Sequence, residues 1–293
     1  MSLVVLTQHA KKELKGALYL RHLLFDKDTK TPDFVVIGKK EFPSIKRRIR
    51  NPQNKRKPIH LITQVLLGLR YRSSVKENIL CFIDKYLFLV TDFVLKFNIN
   101  YRYKKSVDEL KFRRFFRLNE IILEYKKRDI PVYIVNGLNS IENKKLLEKK
   151  NIDIIVLAGT PIIKDYILKL ANRYVINTHS SLLPMYRGID AEFWALDSND
   201  VDNIGHTVHL VNTNVDDGDI IKQEKISCYE SDNHYSLRYK NITVGAKTTA
   251  KVIMKLLDDE KLNFKLNEKI KGNYYSSPNR NEIKKLMKKL NGK

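Results

Sequence analysis

The sequence predicts an α/β protein built on a doubly wound, mostly parallel sheet. Three observations support this class: short apolar runs rich in β-branched residues recur, amphipathic segments separate them, and residues 152–157 are apolar almost throughout. A nearly continuous apolar run is typical of a strand that is covered on both faces. Strands that alternate with helices favour parallel βαβ units.

The predicted elements follow this rhythm along the chain. Strands are predicted at 3–7, 34–37, 131–135, 152–157, 175–176, 207–211 and 220–226. Helices are predicted, from apolar residues at helical spacing, at 14–24, 107–128, 141–150, 164–171, 191–196, 234–258 and from residue 282 onward. Ser140 has the side chain of an N-cap for the helix that follows it. Residues 273–278 are predicted as an extended turn.

Composition limits the class of protein more than it identifies a function. A chain of 293 residues can bury a sizeable core, and its two cysteines have no metal-like spacing. This cysteine usage and the lack of a secretory pattern predict a cytoplasmic protein. The net charge of +22 leaves two interpretations open, a polyanionic partner or a lysine-rich composition spread over solvated faces.

Residues 39–105 are predicted to be a helical insertion in the N-terminal part of the chain. Its basic run, 39–57, could bind phosphates or form a solvated arm. The apolar stretch 79–97 contains Asp84, Lys85 and Asp92, and charges inside a bilayer are costly, so a spanning helix is rejected. Amphipathic helices that pack on the sheet are favoured, and an interfacial hairpin in peripheral membrane contact stays open.

The stretch from Val175 to Gly188 carries the strongest chemical signal. Asn177 and His179 are two residues apart at the end of a predicted strand, so their side chains point the same way. Open α/β sheets bind their ligands at the carboxyl ends of parallel strands. After the next predicted strand, the turn at Asp216 can bring a carboxylate beside the imidazole.

Each of these residues also has an ordinary structural interpretation. A histidine after a strand is often only a hydrogen-bonding residue, and asparagine and aspartate are common in turns. The Ser181 hydroxyl lacks the strained elbow of a hydrolase nucleophile. His206 and His209 share one predicted strand, but zinc needs a third ligand that the sequence does not supply, so no metal is predicted.

Taken together, these residues resemble the signature of the folate-dependent formyltransferase family. The matching positions are Asn177-x-His179, then Ser181-Leu182-Leu183-Pro184, then Asp216-x-Gly218. The family includes the glycinamide ribonucleotide, methionyl-tRNA and amino-sugar formyltransferases. The resemblance covers roughly residues 129–223. It implies transfer of a formyl group from 10-formyltetrahydrofolate to a primary amine, with Asn177, His179 and Asp216 as the catalytic residues.

The resemblance also implies where the two substrates bind. The folate pterin is expected against the backbone of two loops that contain Ala158, Gly159, Ile162, Ile163, Val211, Asn212, Thr213 and Asn214. The amine is expected near Ser181, Tyr186, Arg187 and Gly188, where Arg187 could meet a phosphate of the substrate.

The amine that accepts the formyl group is predicted by eliminating other substrates of the family. Methionyl-tRNA enzymes carry a further β-barrel after this core, whereas the residues after Gln223 are predicted to be mainly helical. This favours a small-molecule amine, above all a nucleotide-linked amino sugar, and weighs against nucleic acid. Glycinamide ribonucleotide and methionyl-tRNA remain alternatives, as does a non-catalytic polyanion- or membrane-binding protein of the same fold. We expect a catalytic domain over 1–228 and a helical extension over 229–293.

Overall fold

The computed structural model describes residues 1–9, 20, 21, 23, 30–39, 118–230, 232–258, 263–267 and 272–291. They belong to one compact unit, formed by 1–39 together with 111–293. The predicted insertion 39–105, with its basic run and apolar hairpin, lies outside the described residues apart from Lys39. Most of the helix predicted at 14–24 lies outside them as well.

Seven strands form the main sheet in the order β3-β2-β1-β4-β5-β7-β8. Their bounds are β1 Leu3–His9, β2 Phe34–Lys39, β3 Val132–Val135, β4 Ile152–Ala158, β5 Ala171–His179, β7 Gly205–Leu210 and β8 Ile220–Lys225. The first five strands of this order pair in parallel, and the last two pairings are antiparallel. The predicted fold class, a mostly parallel sheet with helices, is therefore confirmed.

Helices and a small second sheet complete the described part of the chain. The helices are α1 Leu118–Lys127, α2 Ile141–Glu148, α3 Asp165–Leu168, α4 Ala191–Asp197, α5 His234–Leu257 and α6 Arg280–Asn291. As predicted, Ser140 caps α2, and its hydroxyl accepts the Asn143 N–H at 3.1 Å. The second sheet pairs β6, Tyr186–Gly188, with β9, Asn273–Tyr275. None of the helices described is both long and apolar enough to span a bilayer.

The central strands are apolar on both sides because each face of the sheet is covered. On β1, Leu3 and Val5 belong to the core layer that contains residues of α1 and α5. Their neighbours Val4 and Leu6 belong to the opposite layer, which contains residues of α2 and α3. All four β1 side chains are fully buried. This two-sided burial accounts for the apolar runs from which the fold class was predicted.

Two boundaries differ from the prediction for identifiable reasons. The helix predicted at 164–171 ends at Leu168, because Ala171 already pairs with Ile152 as the first residue of β5. Residues 273–275, predicted as part of an extended turn, form β9. A strand of three residues depends on its pairing with a distant segment, here β6, and local sequence carries little sign of it.

Candidate active site

The carboxyl end of β5 presents Asn177 and His179 to one pocket. Side chains alternate along a strand, so the residue between them, Thr178, faces the other side of the sheet. There its hydroxyl lies 2.5 Å from the Thr249 hydroxyl of α5. The two-residue spacing thus places the amide and the imidazole on the pocket side, as the sequence predicted.

His179 is buried, and its two ring nitrogens have different partners. Nε2 lies 2.6 Å from the carbonyl oxygen of Tyr186, and Nδ1 lies 3.4 Å from Oδ2 of Asp216. A carbonyl oxygen can only accept a hydrogen bond, so Nε2 carries a proton. The Nδ1 atom is consequently the nitrogen that faces the carboxylate and can exchange a proton.

The Asp216 carboxylate is held by neighbours on several segments. Its Oδ2 accepts the Gly188 N–H at 3.0 Å, and its backbone lies in the left-handed region at φ 52°. The amide nitrogen of Asn267 contacts the carbonyl oxygens of Asp216 and Gly218 at 3.1 and 3.3 Å. A Cβ at Gly218 would lie 1.8 Å from the Leu210 carbonyl oxygen, so this close turn requires glycine.

His209 joins the site although the sequence suggested it only as a candidate metal ligand. It is the β7 partner of Asn177, and the Asn177 amide nitrogen lies 3.3 Å from its Nε2. Its Nδ1 lies 2.7 Å from the Leu210 carbonyl oxygen and therefore carries the proton. Nε2 can then accept an N–H from Asn177, which fixes the orientation of that amide. The position of His209 beside Asn177 follows from the antiparallel register of β5 and β7, which the sequence does not show.

His206, the other histidine of β7, lies on the opposite face of the sheet. Its Nε2 is 3.0 Å from the Thr248 hydroxyl and 3.4 Å from Glu224 Oε2. Because His206 and His209 are three residues apart, they cannot share a ligand across this strand. Across the part of the chain that the structure describes, no group of side chains is arranged to hold a metal ion.

These residues open on a pocket of about 330 Å³. Two loops supply most of its lining, the one after β4 and the one after β7. The lining residues are Leu157, Gly159, Thr160, Pro161, Ile162, Ile163, Asn177, His179, Gly188, Ile189, His209, Val211, Asn212, Thr213, Asn214, Val215, Asp216 and Tyr274. They include every residue predicted to contact the folate except Ala158. That residue is fully buried in β4, where its carbonyl accepts the Thr7 hydroxyl at 2.8 Å.

Of the residues predicted to contact the amine, only Gly188 lines the pocket. The Ser181 hydroxyl is buried and donates to the Tyr186 carbonyl at 2.7 Å. The Tyr186 hydroxyl donates to Asp200 at 2.9 Å, and burial raises the pKa of this phenol to about 12. These two side chains therefore support the site from behind rather than facing the pocket.

The Arg187 side chain does not line the pocket either. Its Nη1 lies 3.6 Å from Oδ1 of Asp217, the residue after the pocket carboxylate. Asp217 in turn accepts the Asn214 amide at 2.9 Å. The guanidinium thus braces the acidic turn. Among the described residues its Nε and Nη2 atoms are buried without a hydrogen-bond partner.

The chain is similar to known proteins over part of its length. Residues 117–253 match the family model described as formyl transferase. The chain is 36% identical over 103 residues to the GDP-perosamine N-formyltransferase of Brucella melitensis biotype 1, which covers 35% of this chain and 39% of that protein. It is 32% identical over 125 residues to the methionyl-tRNA formyltransferase of Ehrlichia ruminantium, which covers 42% and 41%. The chain thus spans about two fifths of the length of these curated relatives.

Two solved structures share the fold. The phosphoribosylglycinamide formyltransferase of Anaplasma phagocytophilum superposes with a TM-score of 0.54 at 15% identity, covering 94% of this chain and 99% of that one. The N-formyltransferase of Helicobacter canadensis superposes at 0.52 and 15% identity, covering 97% and 72%. The segment that matches the family model, residues 117–253, contains Asn177, His179 and Asp216, and this segment of the chain belongs to the formyltransferase family.

Proposed function

We propose that the protein transfers a formyl group from 10-formyltetrahydrofolate to the primary amine of a nucleotide-linked amino sugar. The observation that carries this proposal is the 3.4 Å approach of His179 Nδ1 to Asp216 Oδ2, in a pocket that Asn177 also lines. An amide donor, an imidazole and a carboxylate are the groups that attack of an amine on a formyl carbon requires.

The pocket suits a flat heteroaromatic donor. Its two loops, 159–163 and 211–215, offer main-chain groups together with exposed apolar side chains, among them Ile162 and Val215. Ligand sites of this kind bury apolar ring faces and use a few polar groups for orientation. When bound there, 10-formyltetrahydrofolate would supply the electrophilic formyl carbon. After the amine adds to this carbon, the bond from the carbon to N10 would break, N10 would gain the proton that the amine loses, and tetrahydrofolate would leave.

Asn177 is assigned to the negative charge that develops on the formyl oxygen. An amide has two N–H donors, and one of them is directed at His209 Nε2. The second can donate to the oxygen without any reorientation of the side chain. Donors fixed in advance in this way stabilise the transition state, and losing one typically costs roughly 10²–10³ in kcat.

His179 and Asp216 are assigned to the proton that the attacking amine loses. Because the Nε2 proton of His179 is directed at the Tyr186 carbonyl, the incoming proton goes to Nδ1. The imidazolium that results then lies beside the Asp216 carboxylate, whose opposite charge attracts it. The Gly188 N–H keeps that carboxylate oxygen in place.

The acceptor assignment is supported by the relative named for GDP-perosamine, which is 36% identical to this chain over 103 residues. The structure of the Helicobacter canadensis enzyme was obtained with folinic acid and dTDP-3-aminofucose, and it shares this fold.

The test offers the purified protein 10-formyltetrahydrofolate with one amine at a time: GDP-perosamine, dTDP-3-aminofucose, glycinamide ribonucleotide and methionyl-tRNA. Mass spectrometry then detects the added formyl group. We expect formylation of at least one amino sugar and little of the other two amines. Formyl transfer only to glycinamide ribonucleotide or to methionyl-tRNA would contradict the acceptor assignment. No transfer to any amine would contradict the proposed reaction.

A further inference from the structure

Tyr274 is an exposed aromatic residue on the wall of the pocket. Its side chain is 61% exposed, whereas Tyr275 beside it is half-buried. It lies beyond residue 253, where the match to the family model ends. Single exposed aromatic residues are common on protein surfaces, but this ring lies in the lining of the pocket, where a ligand can contact it.

The pairing of β9 with β6 determines the direction of this ring. Tyr275 stacks on Tyr186 and on Trp194, with ring centroids 5.4 and 5.1 Å apart, and so faces the core. Successive side chains of a strand point to opposite faces. Tyr274 must therefore face the other way, and there it lines the pocket.

The same pairing brings β9 next to Gly188, the residue whose N–H holds the Asp216 carboxylate. Tyr274 pairs with Arg187, and Tyr275 pairs with Gly188, whose N–H donates to Asp216 Oδ2 at 3.0 Å. A Cβ on Gly188 would lie 2.2 Å from the Tyr275 carbonyl oxygen, so glycine lets β9 approach this closely. Asp216, Gly188 and Tyr274 all line the pocket, so a substrate that contacts Asp216 from the side of Gly188 lies close to the Tyr274 ring.

We propose that Tyr274 stacks against the sugar ring that carries the reactive amine and so helps to select the acceptor. This inference rests on the proposed function. Apart from the two loops assigned to the folate and the polar residues Asn177, His179, His209 and Asp216, the pocket is lined by Leu157, Gly188, the half-exposed Ile189 and Tyr274. A deoxyamino sugar offers a C–H face to such a surface. Two phosphates separate the nucleoside from the sugar, so the nucleoside lies outside this contact.

The kinetic test compares Tyr274→Ser and Tyr274→Phe in the full chain, with Tyr229→Ser as a control for losing an exposed tyrosine away from the pocket. For Tyr274→Ser we expect KM for the amino sugar to rise roughly three- to tenfold, the size of an aromatic contact, with KM for 10-formyltetrahydrofolate unchanged. Tyr274→Phe and the control should behave like wild type. An unchanged acceptor KM, or a rise in the folate KM instead, would overturn the proposal.

A binding measurement separates this proposal from the proposed reaction. Calorimetry measures the affinity of wild type and Tyr274→Ser for GDP-perosamine and dTDP-3-aminofucose, and for GDP and dTDP as sugar-free probes. We expect weaker binding of the sugar nucleotides alone. If Tyr274→Ser weakens the binding of the sugar nucleotides alone but wild type transfers no formyl group, the contact with the sugar is supported and the proposed reaction is contradicted. Equal weakening for GDP and dTDP, or no binding of either sugar nucleotide by wild type, would refute the sugar contact.

Discussion

His179 and His209 each direct one ring N–H at a main-chain carbonyl, and this determines which nitrogen faces the pocket. His179 offers Nδ1 toward Asp216, where a proton can be taken up. His209 offers Nε2 toward Asn177, where it accepts an amide N–H. In the proposed mechanism, two residues of the same type thus have different tasks, proton transfer for His179 and orientation of a donor for His209.

Replacing Asp216 by Asn tests the role of the carboxylate. The substitution preserves size but removes the charge beside His179 Nδ1, so we expect kcat to fall by roughly 10²–10⁴ with little change in acceptor KM. Steady-state kinetics with both substrates varied measure this. Asp202→Asn, a substitution of an exposed aspartate, is the control. A D216N variant with wild-type kcat would remove Asp216 from the mechanism.

For single residues, the sequence predicted the face to which a side chain projects better than it predicted which distant residues lie beside that side chain. The spacing of Asn177 and His179 sufficed to place both on one face, because strand alternation is a local property. The positions of Asp216 and His209 depend on an antiparallel partner strand, which local sequence does not specify. Ser181 and Arg187 were assigned to the amine through the family resemblance, yet their side chains bond to the Tyr186 carbonyl and to Asp217.

The tail segment that contains Asn267 is the element that holds the acidic turn, residues 216–218, in place. Lys265 pairs with Ile220 at the start of β8 through two main-chain hydrogen bonds of 2.8 and 2.9 Å. The Asn267 amide then bridges the carbonyls of Asp216 and Gly218. The pocket-bearing turn is thus secured by residues distant in sequence and outside the segment that matches the family model.

Replacing Asn267 by Ala tests this support. Its amide is buried, so the substitution leaves two carbonyl oxygens without that donor, which typically costs about 1–3 kcal/mol of stability. Because the turn carries Asp216, we also expect kcat to fall by about tenfold or more. Denaturant unfolding and initial rates measure the two effects. Asn273→Ala, in the exposed part of the same tail, should change neither, and full activity in N267A would show that the turn holds itself.

The elements were predicted where their signal is local. β4 and β1 were recognisable because burial on both faces demands apolar side chains, and α5 because a long amphipathic pattern repeats. β9 was missed because its three residues become a strand only through β6. The side of β9 to which the Tyr274 ring projects follows from the pairing with β6, so the sequence alone did not indicate that Tyr274 lines the pocket.

On the scale of the whole molecule, the parallel sheet brings the site together at one edge. β4 and β5 deliver their carboxyl ends to it, and the antiparallel β7 returns His209 and the acidic turn to the same place. α5 covers the face of the sheet opposite the pocket, where Thr178 meets Thr249. The stability of this helix and the integrity of the site are therefore linked.

His234, at the start of α5, makes the stability of the protein sensitive to acid. Burial, and then the nearby Arg238 charge, lower its pKa to about 4 from an ordinary 6.5, although Asp190 opposes the shift. The unfolded chain takes up this proton below pH 6.5 and the folded chain does not. Stability contributed by the neutral ring is thus present at pH 7 and is lost as the pH falls toward 4.

We expect this residue to lower the free energy of unfolding by about 2 kcal/mol between pH 7 and pH 5. Urea unfolding at the two pH values measures the change. His234→Asn cannot titrate in this range, so its loss between pH 7 and pH 5 should be smaller by that amount. Equal pH dependence in the variant and in wild type would show that His234 is not the responsible group.

The role of His179 in formyl transfer is tested by a single-turnover measurement with enzyme in excess over 10-formyltetrahydrofolate, comparing wild type with His179→Gln. We expect wild type to give N-formylated amino sugar and tetrahydrofolate in equal amounts. We expect transfer by the variant to be slower by at least roughly 10²-fold, with both substrates still bound. Transfer by His179→Gln at the wild-type rate would show that His179 does not take part in the reaction.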